Sequence, residues 1–292
     1  MKLPALHHPL TKALRRLARG AALGAAALLA LPALALDIDL GGAAPYSVYV
    51  FEDLTGLVAT PGRVAVGGNL TLGTASLGAG LAADQAGTAT LLVRGNILGF
   101  NGPLQLGSAA GFGQYIGTKA ASVPASLDLR KVTVLPVDFE TDRVYLTALS
   151  EQLRDLPATG AVSASGSTLT LSGGNRPLEV FALTAAQAAA AQRVVMFNVA
   201  ANAHIVLNLT ADSVRRIGFG IDTSALAPWK GRVLFNAHDA ETLQFNGLTL
   251  WGSVLATNAC ICTSTGALKG SAVVRKWTAA MTVDYVPFIP IP

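Results

Sequence analysis

Short apolar runs separated by Gly, Asn and Ser fill most of the chain, a pattern that predicts an all-β body with tight corners. Residues 46–72 show it most plainly: two apolar strands, a Gly/Pro turn, and a Gly67-Gly68-Asn69 corner. The runs echo one another. Val66-Gly67-Gly68-Asn69-Leu70 returns as Val93-Arg94-Gly95-Asn96-Ile97, a shift of 27, and Leu250-Trp251-Gly252-Ser253 returns as Leu268-Lys269-Gly270-Ser271, a shift of 18. Such recurrence predicts a β-solenoid of unequal coils, each burying its apolar face against its neighbours. Glycine at a corner is expected to supply positive φ, and asparagine to tolerate the same region while bonding its own backbone. A β-sandwich with glycine-rich hairpins fits the same pattern.

The apolar period changes in two places. Over residues 138–156 the leucines Leu146, Leu149, Leu153 and Leu156 draw one stripe along a helix, with Asp138 as its cap and Pro157 just past its end. A shorter alanine-rich helix is expected over residues 184–192, capped by Thr184. Both are expected to be packing elements.

The first 36 residues differ in composition. Lys2, Lys12, Arg15, Arg16 and Arg19 precede an uncharged apolar run that ends in Ala33-Leu34-Ala35, the layout of a secretory signal peptide over residues 1–35, cleaved after Ala35. An uncleaved anchor would lack that small-residue site, and the flanks of Arg15-Arg16 add no specific twin-arginine signal. The leader changes the meaning of the charge. Of 21 basic and 17 acidic residues, five basic and no acidic ones lie in it, leaving 16 against 17, or about −1. The basic isoelectric point therefore gives no support to nucleic-acid binding. Residues 36–292 read as a single β domain with no apolar stretch long enough to span a bilayer.

Tyr46-Ser47-Val48-Tyr49-Val50-Phe51-Glu52-Asp53-Leu54-Thr55, followed by Gly62-Arg63-Val64-Ala65-Val66-Gly67-Gly68-Asn69, resembles the opening signature of the choice-of-anchor A family of bacterial secreted proteins. Asp138-Phe139, Leu178-Glu179-Val180-Phe181, the run from Ala201 to Leu209, Leu234-Phe235-Asn236 and Gly252-Ser253-Val254-Leu255 follow in the order that family shows. The resemblance implies an ice-binding-like adhesive domain: a right-handed β-helix with one long helix packed alongside, exported, and either displayed at the cell surface, secreted or held in the periplasm. The final residues, Val286-Pro287-Phe288-Ile289-Pro290-Ile291-Pro292, carry no sorting motif, and Asp284-Tyr285 stands where the family often has histidine. Release, or retention by a partner, is the expectation that follows.

Candidate chemistry is sparse. Cys260 and Cys262 lie two apart, so a strand would point both thiols to one face. In an exported protein oxidation is the default, but regular strand spacing is near the upper limit for a bridge, so a disulfide needs a bend or bulge; packed thiols are the alternative. Two thiols with no nearby histidine are not a zinc pattern. His204 lies in an apolar run. His238 adjoins Asp239, but neighbours on a strand face opposite ways, and no nucleophile motif accompanies either. The same alternation separates Glu52 from Asp53, and Asp53 reads as a turn residue. Residues 107–113 read as a glycine-rich loop without a P-loop lysine.

No catalytic, cofactor or metal site follows from these residues. The expectation is a non-enzymatic adhesin-like protein that binds a surface, a glycan or a matrix partner through one long face. An ice-binding protein on the same scaffold is the first alternative, with Thr88/Thr90, Thr168/Thr170 and Thr263/Thr265 as irregularly spaced threonine pairs. A polysaccharide-degrading β-helix is the second, and it requires acids and bases converging in a groove.

Overall fold

The computed structural model describes residues 37–85 and 87–291. The expected leader and its cleavage residues, Ala33 and Ala35, lie outside the described residues. The fold is mainly β, dominated by parallel pairing, with few helices.

Strands stack in three parallel ladders. The first runs in the spatial order Leu178–Thr184, His204–Thr210, Val233–Asn236, Ser253–Gly270, Ala272–Tyr285, Tyr46–Val50, Arg63–Val66, Leu91–Val93, Gly113–Tyr115 and Leu129–Lys131. Both sequence shifts are its registers or those of its neighbours: Val66 pairs with Val93 and Leu70 with Ile97, while Leu250 pairs with Leu268 and Val254 with Ala272. The order also shows that the last strand of the chain lies at the centre. Ala272–Tyr285 has Ser253–Gly270 on one side and Tyr46–Val50 on the other.

The second ladder carries Arg216–Phe219, Thr242–Trp251, Ser253–Gly270, Ala272–Tyr285, Leu54–Thr55, Leu70–Thr71 and Ile97–Gly99. The third carries later parts of the same long strands, then Ala59–Thr60 and Ser76–Leu77. One strand serves successive ladders by bending where its register shifts, as between Ala256 and Cys260. Alternation along each strand sends Val48, Val64, Leu91, Leu54, Leu70, Ile97 and Trp277 into one buried apolar core.

The Gly-Gly-Asn corners work differently from the expectation of positive φ. Gly67, Gly68 and Gly95 have ordinary φ; glycine is required there by close approach. A Cβ on Gly67 would lie 2.3 Å from the Phe51 carbonyl oxygen, and one on Gly95 would lie 2.4 Å from that of Gly68. Nor does asparagine bond its own backbone. Asp53 Oδ1 accepts from the Asn69 N–H at 2.8 Å, Asn69 Oδ1 from the Asn96 N–H at 2.9 Å, and Asn96 Oδ1 from the Thr118 N–H at 2.9 Å. Each corner side chain thus satisfies a backbone donor one rung away, where the turn interrupts the ladder.

Helix α1, Phe139–Asp155, forms where the leucine stripe predicts it, with Asp138 accepting from the N–H groups of Glu140 and Thr141. Leu146, Leu149 and Leu153 are buried and Leu156 is half-buried. At 17 residues α1 is about 26 Å long. Six rung spacings of the first ladder, from Leu91–Val93 to His204–Thr210, make about 29 Å. The match lets α1 run along the stack from Arg94, whose guanidinium meets Glu140 at 2.6 Å, to Asn208, whose Nδ2 donates to the Leu153 carbonyl at 2.6 Å. Between them Tyr49 donates to Asp142 at 2.5 Å and Asn236 Nδ2 to the Ser150 carbonyl at 2.9 Å. Burial, reinforced by the Asp142 carboxylate, holds the Tyr49 phenol far above the ordinary tyrosine range. These bonds fix the helix register as well as its position, because each joins a named turn to a named rung.

The shorter helix, α2, covers Ala185–Ala190, with a capping box between Thr184 and Gln187. Residues 107–113 are not wholly a loop: Ala109–Ala110 pairs antiparallel with Gln105–Leu106, turning at Gly107 with φ +60°. Ala161–Ser165, Thr168–Ser172 and Arg193–Phe197 make a separate small sheet that the coil pattern did not predict.

Candidate binding face

Each ladder has an inner side committed to the core, so a partner can meet only outward-facing residues. The first ladder is closed. Its outward Tyr49, Leu255 and Asn236 are buried, because α1 lies over that side.

The second ladder is open but irregular. Thr71, Thr55, Thr278 and Cys262 occupy neighbouring outward positions. Next to them Cys260 and Cys262 are joined in a disulfide, with Cα atoms 5.3 Å apart. The strand bends there, since the register shifts on both sides of the pair and Thr263 has φ +52°. That bend brings the Cα atoms inside the usual range for a bridge, which a straight strand would not.

The third ladder is open and regular. Thr249 pairs with Ala267, Ala267 with Thr282, Thr282 with Ala59, and Ala59 with Ser76. All five are half-exposed, so one small side chain per strand forms a continuous strip. Four rung spacings make the strip about 19 Å long. One residue pair further along the strands, Trp251, Lys269 and Asp284 stand in register at its margin. The Lys269 ammonium lies 5.0 Å from the Trp251 ring centre and 2.5 Å from the Asp284 carboxylate.

The threonine pairs singled out from the sequence do not build this strip. Thr90 is buried and donates to the Gln105 carbonyl, Thr168 and Thr170 belong to the small separate sheet, and a register shift separates Cys262 from Thr265. The strip draws one residue from each strand of the ladder. Chain positions 249, 267 and 282 become neighbours only once the coil lengths are known, and the shift of 18 between Leu250 and Leu268 was the signal for the first of these pairings.

The opening signature is built into the scaffold. Tyr46, Phe51, Leu54, Gly62, Arg63 and Gly67 are buried, Gly68 and Asn69 form the corner, Asp53 bonds it, and Thr55 alone faces outward on the second ladder. His204 Nε2 lies 2.9 Å from the Ile289 carbonyl, and burial lowers its pKa, so the neutral ring donates there. His238 and Asp239 lie in a turn after Val233–Asn236 and so are not opposed as on a strand. Nε2 of His238 is 3.9 Å from Asp239 and 3.8 Å from Glu151, beyond hydrogen-bond distance. The pocket beside them holds about 90 Å³. Among the described residues no group of three or more His, Cys, Asp or Glu side chains is placed to hold a metal ion, and no described helix is long and apolar enough to cross a membrane.

A family model described as "Putative Ice-binding-like adhesive domain" matches residues 39–285. No curated protein matches the chain. Among solved structures, an ice binding protein from an Antarctic biological consortium is 16% identical, with 88% of this chain and 92% of that chain covered, at a TM-score of 0.36. One from the Antarctic ascomycete Antarctomyces psychrotrophicus is 12% identical, with 85% and 96% covered, at 0.31. One from an Arctic yeast is 11% identical, with 88% and 97% covered, at 0.30.

Proposed function

The chain belongs to the family of ice-binding-like adhesive domains, and from that premise we propose that it is an exported, non-enzymatic adhesin whose parallel ladders form a right-handed β-solenoid. The partner is an extended surface, a glycan or a matrix polymer. The observation that carries the reading is the strip Thr249, Ala267, Thr282, Ala59 and Ser76, which is flat, rigid and free of α1. A flat strip repeats the same weak contact at every coil, so affinity grows with the length engaged and no deep pocket is needed. The oxidised Cys260–Cys262 pair suits an exported protein.

Ice binding is a second reading of the same strip, favoured by its alternating threonine and alanine. Both readings are tested with purified protein: retention on immobilised polysaccharides, matrix polymers and bacterial cells, beside an ice-recrystallisation assay. Retention on at least one polymer with unaltered recrystallisation is the expected result. Inhibited recrystallisation without retention selects the ice reading, and neither activity contradicts both.

A further inference from the structure

The small sheet has an outer edge without a partner strand. Among the described residues Ala161–Ser165 pairs only with Thr168–Ser172, across a turn in which Gly166 has φ +56°. In a two-residue hairpin the closing pair, Ser165 and Thr168, exchanges both backbone hydrogen bonds, and such pairs alternate along the ladder. Ser163 and Ala161 are therefore bonded to the neighbouring strand, whereas the N–H and C=O groups of Val162 and Ala164 point away from it. Nothing among the described residues bonds those four groups. Ala161, Ser163, Ala164 and Ser165 are exposed and Val162 is half-buried, so the edge is open to solvent.

Other edges of the fold are covered or charged. Leu129–Lys131, the last rung at one end of the first ladder, carries Arg130 and Lys131. At the other end the N–H groups of Thr159 and Gly160 donate to the Val180 carbonyl, and Leu169 and Leu171 of the small sheet pack into the core. On the far edge of the small sheet Val194 donates to the Asp222 carbonyl, and Arg193 beside it is charged. Open strands ordinarily carry charge or proline, because free N–H and C=O groups template pairing with another chain. Ala161–Ser165 has neither guard. From Leu156 to Asn175 there is no charged residue, and between Pro157 and Pro177 no proline.

We propose that Ala161–Ser165 is a self-association edge, at which a second copy of this chain adds its own Ala161–Ser165 antiparallel about a two-fold axis at Ser163. A second copy is the occupant because the edge is complementary to itself. Val162 of each copy faces Ala164 of the other, and each such pair exchanges two hydrogen bonds, which satisfies every open group on both strands. A two-fold axis brings residues near it against their own copies, so a charge there would repel itself; this edge has none. Ala164 and the exposed part of Val162 lie on the side of Leu169 and Leu171, where the two copies cover each other's apolar surface. Two three-stranded sheets become one of six strands. With five residues per strand the contact is small, so the dimer is weak and forms as concentration rises. The pairing does not rest on the adhesive reading, although a dimer carries two strips and gains avidity wherever one strip binds.

Sedimentation equilibrium of the purified protein, from about 10 μM to about 1 mM, is expected to show the average mass rising from one chain toward two. Two variants at Ala164 spare the hairpin, because neither the Ala164 N–H nor its exposed side chain takes part in its bonds. Ala164→Lys brings two ammonium groups to the junction and Ala164→Pro removes an outward donor, and each should weaken association by about tenfold or more. Phe197→Ser, at an exposed position on the opposite edge, should leave it unchanged. Cysteine reads the register. The two native cysteines are joined to each other, so an introduced thiol is the free one. Ser163→Cys should form an intermolecular disulfide under mild oxidation, since its Cα lies about 4.5–5.5 Å from its own copy. Ser165→Cys should not, its copies standing about 13 Å apart along the strands. If the Ala164 variants fail to fold, the cysteine pair decides alone. A single-chain mass at every concentration overturns the proposal. So does native-like association of either folded Ala164 variant, a loss of association in Phe197→Ser alone, or equal cross-linking of Ser163→Cys and Ser165→Cys.

Discussion

A chain ending at Ser271 will show no cooperative unfolding transition in urea. Ala272–Tyr285 is the last of the described strands in chain order, yet it is a central rung of all three ladders. Without it, Ser253–Gly270 and Tyr46–Val50 each become an exposed edge, and the apolar residues Val273, Val274, Trp277, Met281 and Val283 leave the core. Among the described residues the early strands are then tied to the later ones chiefly through α1, whose register depends on rungs from both halves. Stacked coils derive stability from their neighbours, so removing the middle one removes two interfaces at once. Urea titration followed by far-ultraviolet circular dichroism is the check. A cooperative transition with a slope near that of the full chain would contradict the topology.

Trp277→Ala should cost about 3–5 kcal/mol, the range for emptying a buried aromatic site. Trp277 is fully buried and stands in register between Leu54 and Ile261, where the early coils meet the late ones. Its Nε1 also donates to the Ala279 carbonyl at 2.9 Å, so the substitution leaves a buried acceptor without its donor. Rigid rungs on both sides limit collapse into the space. Equilibrium unfolding should show a lower midpoint with an unchanged slope. A change below about 1 kcal/mol would mean the site is not packed as described.

Much of this architecture was written locally. The leucine stripe and Asp138 specify α1 because a helix is determined by residues a few positions apart, and the Gly-Asn corners repeat at coil spacing because every coil meets the same steric limit. The mechanism of those corners was not legible. Whether a glycine serves φ or close approach depends on the neighbouring rung, which lies 27 positions away at Gly68 and Gly95. The central place of Ala272–Tyr285 was hidden for the same reason, since its partner Tyr46–Val50 lies at the other end of the chain. The disulfide was half legible: two cysteines two positions apart behind an expected leader suggest it, but only the bend at Thr263 permits it. The strip proposed to bind was the least legible. Thr249, Ala267, Thr282, Ala59 and Ser76 share no local motif and meet only through the stacking order.

The central claim is that adhesion belongs to the third ladder, and tyrosine substitutions on separate faces test it. Ala267→Tyr raises a bulky ring in the middle of the strip, Thr71→Tyr does the same on the second ladder, and Val144→Tyr on the exposed side of α1. Retention on the polymer that binds the native protein should weaken by about tenfold or more in Ala267→Tyr, equivalent to ~1.4 kcal/mol, and stay within about twofold in the other two. Native-like retention of Ala267→Tyr, with a loss in Thr71→Tyr or Val144→Tyr, would place the adhesive surface elsewhere and contradict the account.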